Sequence, residues 1–334
     1  MRSRFSLSGG KIRSGATPGC VACRGMTPKV TVEPFRPRDA DAVAEVRRAA
    51  VPYLVCTAES VAWEAESAPA AGRTRWLVAR EAGGRVVGCA DTGLLIGSVE
   101  PRQGYLHTAV HPAGRGLGAG AALVAEAERH LSAVGAERAW TWVADDGRSP
   151  GFAERRGYTR GRRACFLGLD LARAGLPGPP ERLPAGVELR TALDFAGDLR
   201  PLYEADLECT ADEPGDVRHG FVPYEDWLRL NRDRPDIDHR LTSVVLVGGE
   251  VASYSVAQTD GRERYWSGMT GTRRAFRGRG LARLAKLDSL RRSRSAGRRR
   301  AFTGNDATNA PMLALNRSLG YEQAAAEWRY SKPL

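Results

Sequence analysis

Lysine is nearly absent. Of 50 basic residues in a chain of 334, four are lysine (Lys11, Lys29, Lys286 and Lys332), so the positive charge rests almost wholly on arginine. Long apolar runs are missing too: stretches such as 243–247 are far shorter than the roughly 20 residues a helix needs to cross a bilayer, which excludes a helical membrane protein. Acids are missing from residues 1–27, which carry +5, and nearly missing from 273–300, where twelve basic residues meet only Asp288 and leave +11. With an overall charge of +11, the rest of the chain is net −5. That distribution excludes a surface coated with positive charge and points to a local anion site in the second segment. A disulfide framework is lacking as well. The six cysteines (Cys20, Cys23, Cys56, Cys89, Cys165, Cys209) are scattered without framework spacing, which fits a reducing cytoplasm. Cys20 and Cys23 form a lone CxxC with no second ligand pair at zinc-ribbon spacing, so no metal is expected. The first 27 residues also lack the apolar core of a secretory signal and any apolar periodicity, and are expected to form a disordered, dispensable basic tail.

What the chain does have is itself twice over. Each half opens with an extended segment and a helical pattern: 31–36 then 39–50, and 187–190 then 194–205. Each continues with two β-rich runs around a Gly-Gly turn, 76–80 and 85–94 about Gly83-Gly84, then 243–247 and 250–257 about Gly248-Gly249. Between the halves, residues 174–186 hold four prolines and three glycines in 13 positions, a composition no regular element tolerates. The expected organisation is a domain at 28–173, a linker at 174–186 and a domain at 187–334.

The chemistry concentrates in a loop that also occurs twice. In the first half a strand ending at Val110 turns through His111-Pro-Ala-Gly-Arg115-Gly-Leu-Gly118-Ala-Gly120 into a helix whose Leu123, Ala127 and Leu131 share one face. In the second, a strand over 265–272 leads to Arg277-Gly-Arg-Gly280-Leu-Ala282 and a helix with Leu281, Leu284 and Leu287. Glycine lets the backbone bend tightly there, while the first amides of the helix offer unpaired donors and a positive dipole end. Such a corner cradles a diphosphate. It is not a P-loop, which needs GxxxxGK[ST], nor a Rossmann turn, which comes at the start of a βαβ unit.

Both loops resemble motif A, (Q/R)xxGx(G/A), of the Gcn5-related N-acetyltransferase (GNAT) superfamily, and the closing Arg156-Gly-Tyr158 and Leu319-Gly-Tyr321 segments resemble the rest of that fold. The likeness spans nearly everything outside the first 27 residues and the linker. It implies an α+β protein of two tandem GNAT domains, each a twisted mixed sheet flanked by helices. It further implies acyl-CoA, with acetyl-CoA the expected donor, as cosubstrate. By the same likeness, Thr108, Ala109, Val110 and Thr270, Gly271, Thr272 bind the pantetheine arm through the main chain. Arg115, Gly116, Leu117, Gly118, Ala119, Gly120 and Arg277, Gly278, Arg279, Gly280, Leu281, Ala282 take the pyrophosphate. The basic segment 291–300 either serves the 3'-phosphate of CoA or is a solvated charged face.

The departures from the family pattern are as informative. Where many members place a glutamate on the central strand, this chain has Gly104 and Trp266; where many place a tyrosine that protonates the leaving thiolate, it has Ala153 and Asn316. His107 is an available strand imidazole that suits a base, although a lone strand histidine also serves structure. The second half keeps a polar stretch with Asn305, Asn309 and Asn316, similar to an Asn-rich version of the family's last conserved segment; Asn309 reads equally as a helix cap. For the acceptor pocket, Tyr53 and Trp63 in the first half and Asp212, Glu213, Tyr224 and Trp227 in the second are the residues to inspect.

These features predict a cytoplasmic acyl-CoA-dependent N-acyltransferase for a small amine, possessing no GxSxG elbow for a covalent route. The first domain is expected to hold acyl-CoA and the second, with its asparagines, to carry out transfer. Two alternatives stand beside this: an acyl-CoA-binding protein without catalysis, which the missing glutamate and tyrosine favour, and nucleic-acid binding through the arginine-rich segments.

Overall fold

A computed structural model describes residues 30–214 and 222–334; the basic tail with Cys20 and Cys23 lies outside the described residues. The first half runs Val30–Pro34 (β1), Ala40–Ala50 (α1), Ala58–Glu66 (α2), Arg75–Glu81 (β2), Val86–Leu94 (β3), Gln103–Val110 (β4), Ala119–Ala133 (α3), Arg138–Ala144 (β5), Ser149–Glu154 (α4) and Thr159–Asp170 (β6). The second repeats that order: Val187–Thr191 (β7), Arg200–Thr210 (α5), Tyr224–Asn231 (α6), Ser243–Val247 (β8), Glu250–Thr259 (β9), Arg264–Thr272 (β10), Leu281–Ser295 (α7), Arg300–Asp306 (β11), Ala310–Ser318 (α8) and Glu322–Pro333 (β12). Both Gly-Gly hairpins form, with Gly84, Gly248 and Gly249 at positive φ, where a side chain would be strained.

Strand alternation sets the layers. Leu77 and Ala79 of β2 join Leu106 and the Leu123, Ala127, Leu131 face of α3, whereas the intervening Val78 joins Cys89, Val43 and Val46 under α1 and α2. The second half does the same: Val245 packs with Leu281 and Ala285 of α7, and Val244 with Leu202, Trp227 and Leu228 of α5 and α6. The predicted apolar stripe of α7 is interrupted by Lys286, which is 1 % exposed and has its ammonium 5.5 Å from the Tyr321 ring.

The two halves share one twelve-stranded sheet, ordered β1-β2-β3-β4-β5-β12-β6-β11-β10-β9-β8-β7. The last strand of each half crosses to the other: β12 pairs with β5 from Glu327 opposite Ala144 to Pro333 opposite Arg138, and β6 pairs with β11 from Arg300 opposite Asp170 to Asp306 opposite Ala164. Antiparallel β6 and β12 then join at the centre, with Glu327 facing Ala164. Each half is completed by a strand of its neighbour, which a division of the chain at the linker does not reveal.

The linker is held by the arginine-rich helix. Arg291 Nε donates to the carbonyl of Pro177 at 2.8 Å and its other arm to that of Gly178, while Arg294 donates to Ala174 O at 2.9 Å. Arg292 pairs with Asp288 at 2.7 Å and Arg298 reaches Arg262 O at 2.6 Å. Much of the charge that suggested an anion site thus satisfies main-chain carbonyls.

Candidate active site

The two glycine loops have nearly the same backbone. Arg115 and Arg277 are extended, at φ −67° and −66°; Gly116 and Gly278 follow at φ 84° and 76°, and Gly118 and Gly280 cap α3 and α7 at φ 90° and 74°. A Cβ at any of these four glycines would meet nothing within 4 Å, so each loop faces open space. Both loops fit a diphosphate by that measure, since the helix amides point there and no side chain blocks the approach. The strand before each loop also splays from its parallel neighbour. β4 pairs with β5 only over Gln103–Tyr105, and β10 with β11 only over Arg264–Trp266. From Leu106 onward β4 therefore has no strand partner on its β5 side, leaving main-chain groups free for an extended arm.

On the α1 and α2 side of the sheet, the halves differ. A cavity of about 800 Å³ opens beside β4, where His107, Thr108 and Ala109 line it. The side chain of His107 is 50 % exposed, and its Nδ1 lies 2.9 Å from Oδ2 of Asp91, the residue opposite it on β3. Arg47 of α1 donates to Asp91 at 2.8 Å and to Glu64 of α2 at 2.9 Å; Arg234 of the second half reaches Glu64 at 3.2 Å and Asp236 at 2.6 Å. Burial pushes the Asp91 carboxyl up, but His107 and Arg47 together outweigh it and hold the group below its usual range. Across the opening, Glu327 lines the same cavity from the exchanged strand β12 and accepts a 2.5 Å hydrogen bond from Tyr53. Burial raises the Glu327 carboxyl, with the Tyr53 bond and His107 pulling the other way.

Beside β10 that space is filled. Counting back eight residues from Arg115 and Arg277 sets Met269 against His107 and Gly271 against Ala109. Met269 packs into the cluster of Leu202, Trp227 and Tyr254, and a Cβ on Gly271 would meet Cys209 Sγ at 2.6 Å, so α5 lies hard on the strand. Asp206, which burial pushes up, is taken by Trp227 Nε1 at 2.7 Å and Tyr254 OH at 2.5 Å. Between α5, α6 and β9 lies a void of about 30 Å³, lined by Leu202, Asp206, Trp227 and Tyr254. The mouth of the splay is also bridged, since Thr303 of β11 donates to Ser267 O of β10 at 3.0 Å, whereas its counterpart Thr141 on β5 donates to Trp142 O.

The four proposed catalytic residues do not converge. His107 faces the cavity. Asn316 is fully buried and donates to Asn305 Oδ1 at 2.7 Å, with its own carbonyl oxygen unpartnered, and Asn309 caps α8 by accepting from Met312 N at 3.3 Å. None of these asparagines lines the cavity, and of β10 only Trp266 does. Of the acceptor candidates, Trp63 lines it and Tyr53 reaches Glu327, while Trp227 is buried in the second-half cluster and Asp212 pairs with Arg274 and Arg277. Sequence reasoning missed Asp91, Arg47, Glu64 and Glu327. Asp91 had a signal, being the one charged residue in the β3 sequence VVGCADTGL. Glu327 had none, because only strand exchange carries it to the first half.

Residues 42–158 match the Acetyltransferase (GNAT) family. The chain is 27 % identical over 248 residues to a mycothiol acetyltransferase of Saccharomonospora viridis, covering 67 % of this chain and 72 % of that protein. It is 34 % identical over 171 residues to a mycothiol acetyltransferase of Frankia casuarinae, covering 51 % and 46 %. In structure it is similar to a tandem GNAT protein from the clavulanic acid biosynthesis pathway, with a TM-score of 0.68 at 22 % identity over 91 % of this chain and 98 % of that one. The chain thus has the GNAT fold, and residues 42–158 match the acetyltransferase family of that name. It carries that fold twice in one chain, as a tandem GNAT protein.

Proposed function

We propose that the chain transfers an acetyl group from acetyl-CoA to a small amine, and that transfer takes place in the first half. The observation that carries this is His107, half-exposed in the cavity on a splayed strand and paired at 2.9 Å with buried Asp91. Acetyl-CoA supplies an activated thioester. The amides of 115–120 hold its diphosphate, and the free edge of 108–110 holds its arm and polarises the carbonyl. With Nδ1–H donated to Asp91, His107 presents Nε2 to accept the proton of the attacking amine, and Arg47 keeps Asp91 charged and oriented. Glu327, steadied by Tyr53, gives a proton to the departing sulfur. With Glu327 carrying its proton, three carboxylates (Glu64, Asp91, Asp226) against two guanidiniums (Arg47, Arg234) line the cavity of a chain whose net charge is +11. That local excess draws an ammonium acceptor.

For the second half the packing of Met269 and Cys209 favours a different role, acyl-CoA binding without transfer. This reverses the division of labour that the Asn-rich segment suggests. A place in natural-product metabolism has the support of a likeness in fold alone. The test is acetyl-CoA turnover with a panel of amines in wild type and in His107→Gln. Loss of transfer with acetyl-CoA binding retained is expected; undiminished turnover would move the reaction elsewhere.

A further inference from the structure

Six aromatic rings from six different elements converge on the cavity: Trp63, Trp76, Tyr105, Trp142, Phe166 and Trp266. Four of the chain's seven tryptophans are among them, in a protein only 7 % aromatic. At its edge stand Ile96, Trp142 and Leu230, each of them an exposed large hydrophobic side chain at 49, 37 and 42 %. Scattered apolar side chains on a surface mean little, but three gathered at one opening mark a surface kept for an apolar ligand.

The polar groups of the same walls are largely occupied by one another. Arg47 and Arg234 are taken by Asp91, Glu64 and Asp236, Glu327 by Tyr53, Thr74 by the Tyr105 hydroxyl at 3.3 Å, and Gln258 by Asp236 at 3.3 Å. A polyhydroxylated acceptor would have to bury several hydroxyls against these engaged groups, each losing its hydrogen bonds to water without a replacement. A flat apolar body meets no such cost and gains stacking on the rings. Once docked, its ammonium lies in a net negative cavity beside His107, where cation–π attraction and the carboxylates act together.

Resting on the transfer site proposed above, we infer that the acceptor is a primary amine on an aromatic body, an arylalkylamine, rather than an amino sugar or a polyamine. Phe166 and Trp266, 6.0 Å apart between centroids and drawn one from each half, form the far wall against which the ring stacks.

Two measurements on the full chain decide the matter. The first follows CoA release with acetyl-CoA and tryptamine, 2-phenylethylamine, glucosamine or spermidine; the second is calorimetric titration of tryptamine into the CoA-saturated protein. The expected result is kcat/KM for the arylalkylamines at least about 30-fold above glucosamine and spermidine, with Trp266→Ala raising KM for tryptamine more than it lowers kcat. Preference for glucosamine or spermidine overturns the inference and leaves the transfer site standing. Tryptamine that binds but is not acetylated upholds the aromatic-amine pocket and sinks the transfer site. Tryptamine that neither binds nor reacts overturns the inference.

Discussion

The two halves build the same glycine loop and opposite surfaces beside it. At matched positions His107 faces a cavity and Met269 faces a core; Ala109 lines that cavity, whereas Gly271 exists so that Cys209 can press against the strand. The cross-bond from Thr303 to Ser267 has no counterpart at Thr141, which bonds within its own strand. A duplicated loop therefore does not duplicate the space beside it. Cradle geometry depends on glycine backbone and survives changes around it, while an acceptor site depends on what two neighbouring helices leave empty.

The comparison can be broken most forcefully at the cradles. Gly118→Asp places a carboxylate where the diphosphate binds and should lower turnover by more than about 10³-fold, whereas Gly280→Asp should leave turnover within about threefold while removing one bound CoA by calorimetry. The reverse pattern would hand transfer to the second half. Next in size is His107→Gln, expected to cost about 10²- to 10⁴-fold in kcat with acetyl-CoA affinity unchanged. Met269→His should bring no activity, because the space before it is filled. Glu327→Gln should cost about 10- to 100-fold and remove the high-pH limb of the kcat profile; Ala164→Glu, its mirror position, should restore nothing.

The smallest effect concerns stability and sharpens the contrast between the helices α3 and α7. Burial brings Lys286 from its ordinary 10.5 down to about 7. Below pH 7 the folded protein must carry that charge in its core, so the burden is greatest there and fades as pH rises toward 10.5, where the unfolded chain too loses its proton. Lys286→Met should thus stabilise the protein by roughly 3 kcal/mol at pH 6 and far less at pH 10. An equal gain at both values, measured by denaturant unfolding, would show that packing rather than charge is responsible.

Much of this fold was legible because its signals are local. Gly-Gly hairpins, the αL glycines at 118 and 280 and the Leu123-Ala127-Leu131 stripe each follow from a few neighbouring residues. The candidate site was legible in part. His107 stood out as an imidazole on a central strand, and a charged Asp91 inside an apolar strand was there to be paired with it. The Asn-rich segment reads as chemistry in the sequence and answers local needs in the structure: Asn309 caps a helix and Asn316 binds Asn305. What could not be read was the contribution of β12, because register across 180 residues of chain leaves no trace in composition or spacing.

That last strand also sets the timing of assembly. During synthesis the first half can fold its helices and strands β1 to β5 early, yet Glu327 reaches the cavity only after residues 322–333 have left the ribosome. Until then β5 keeps an unpaired edge and Tyr53 has no carboxylate to meet. A nascent chain thus holds a first half whose sheet is still open on one side, and the same dozen residues that close it bring Glu327 to the cavity.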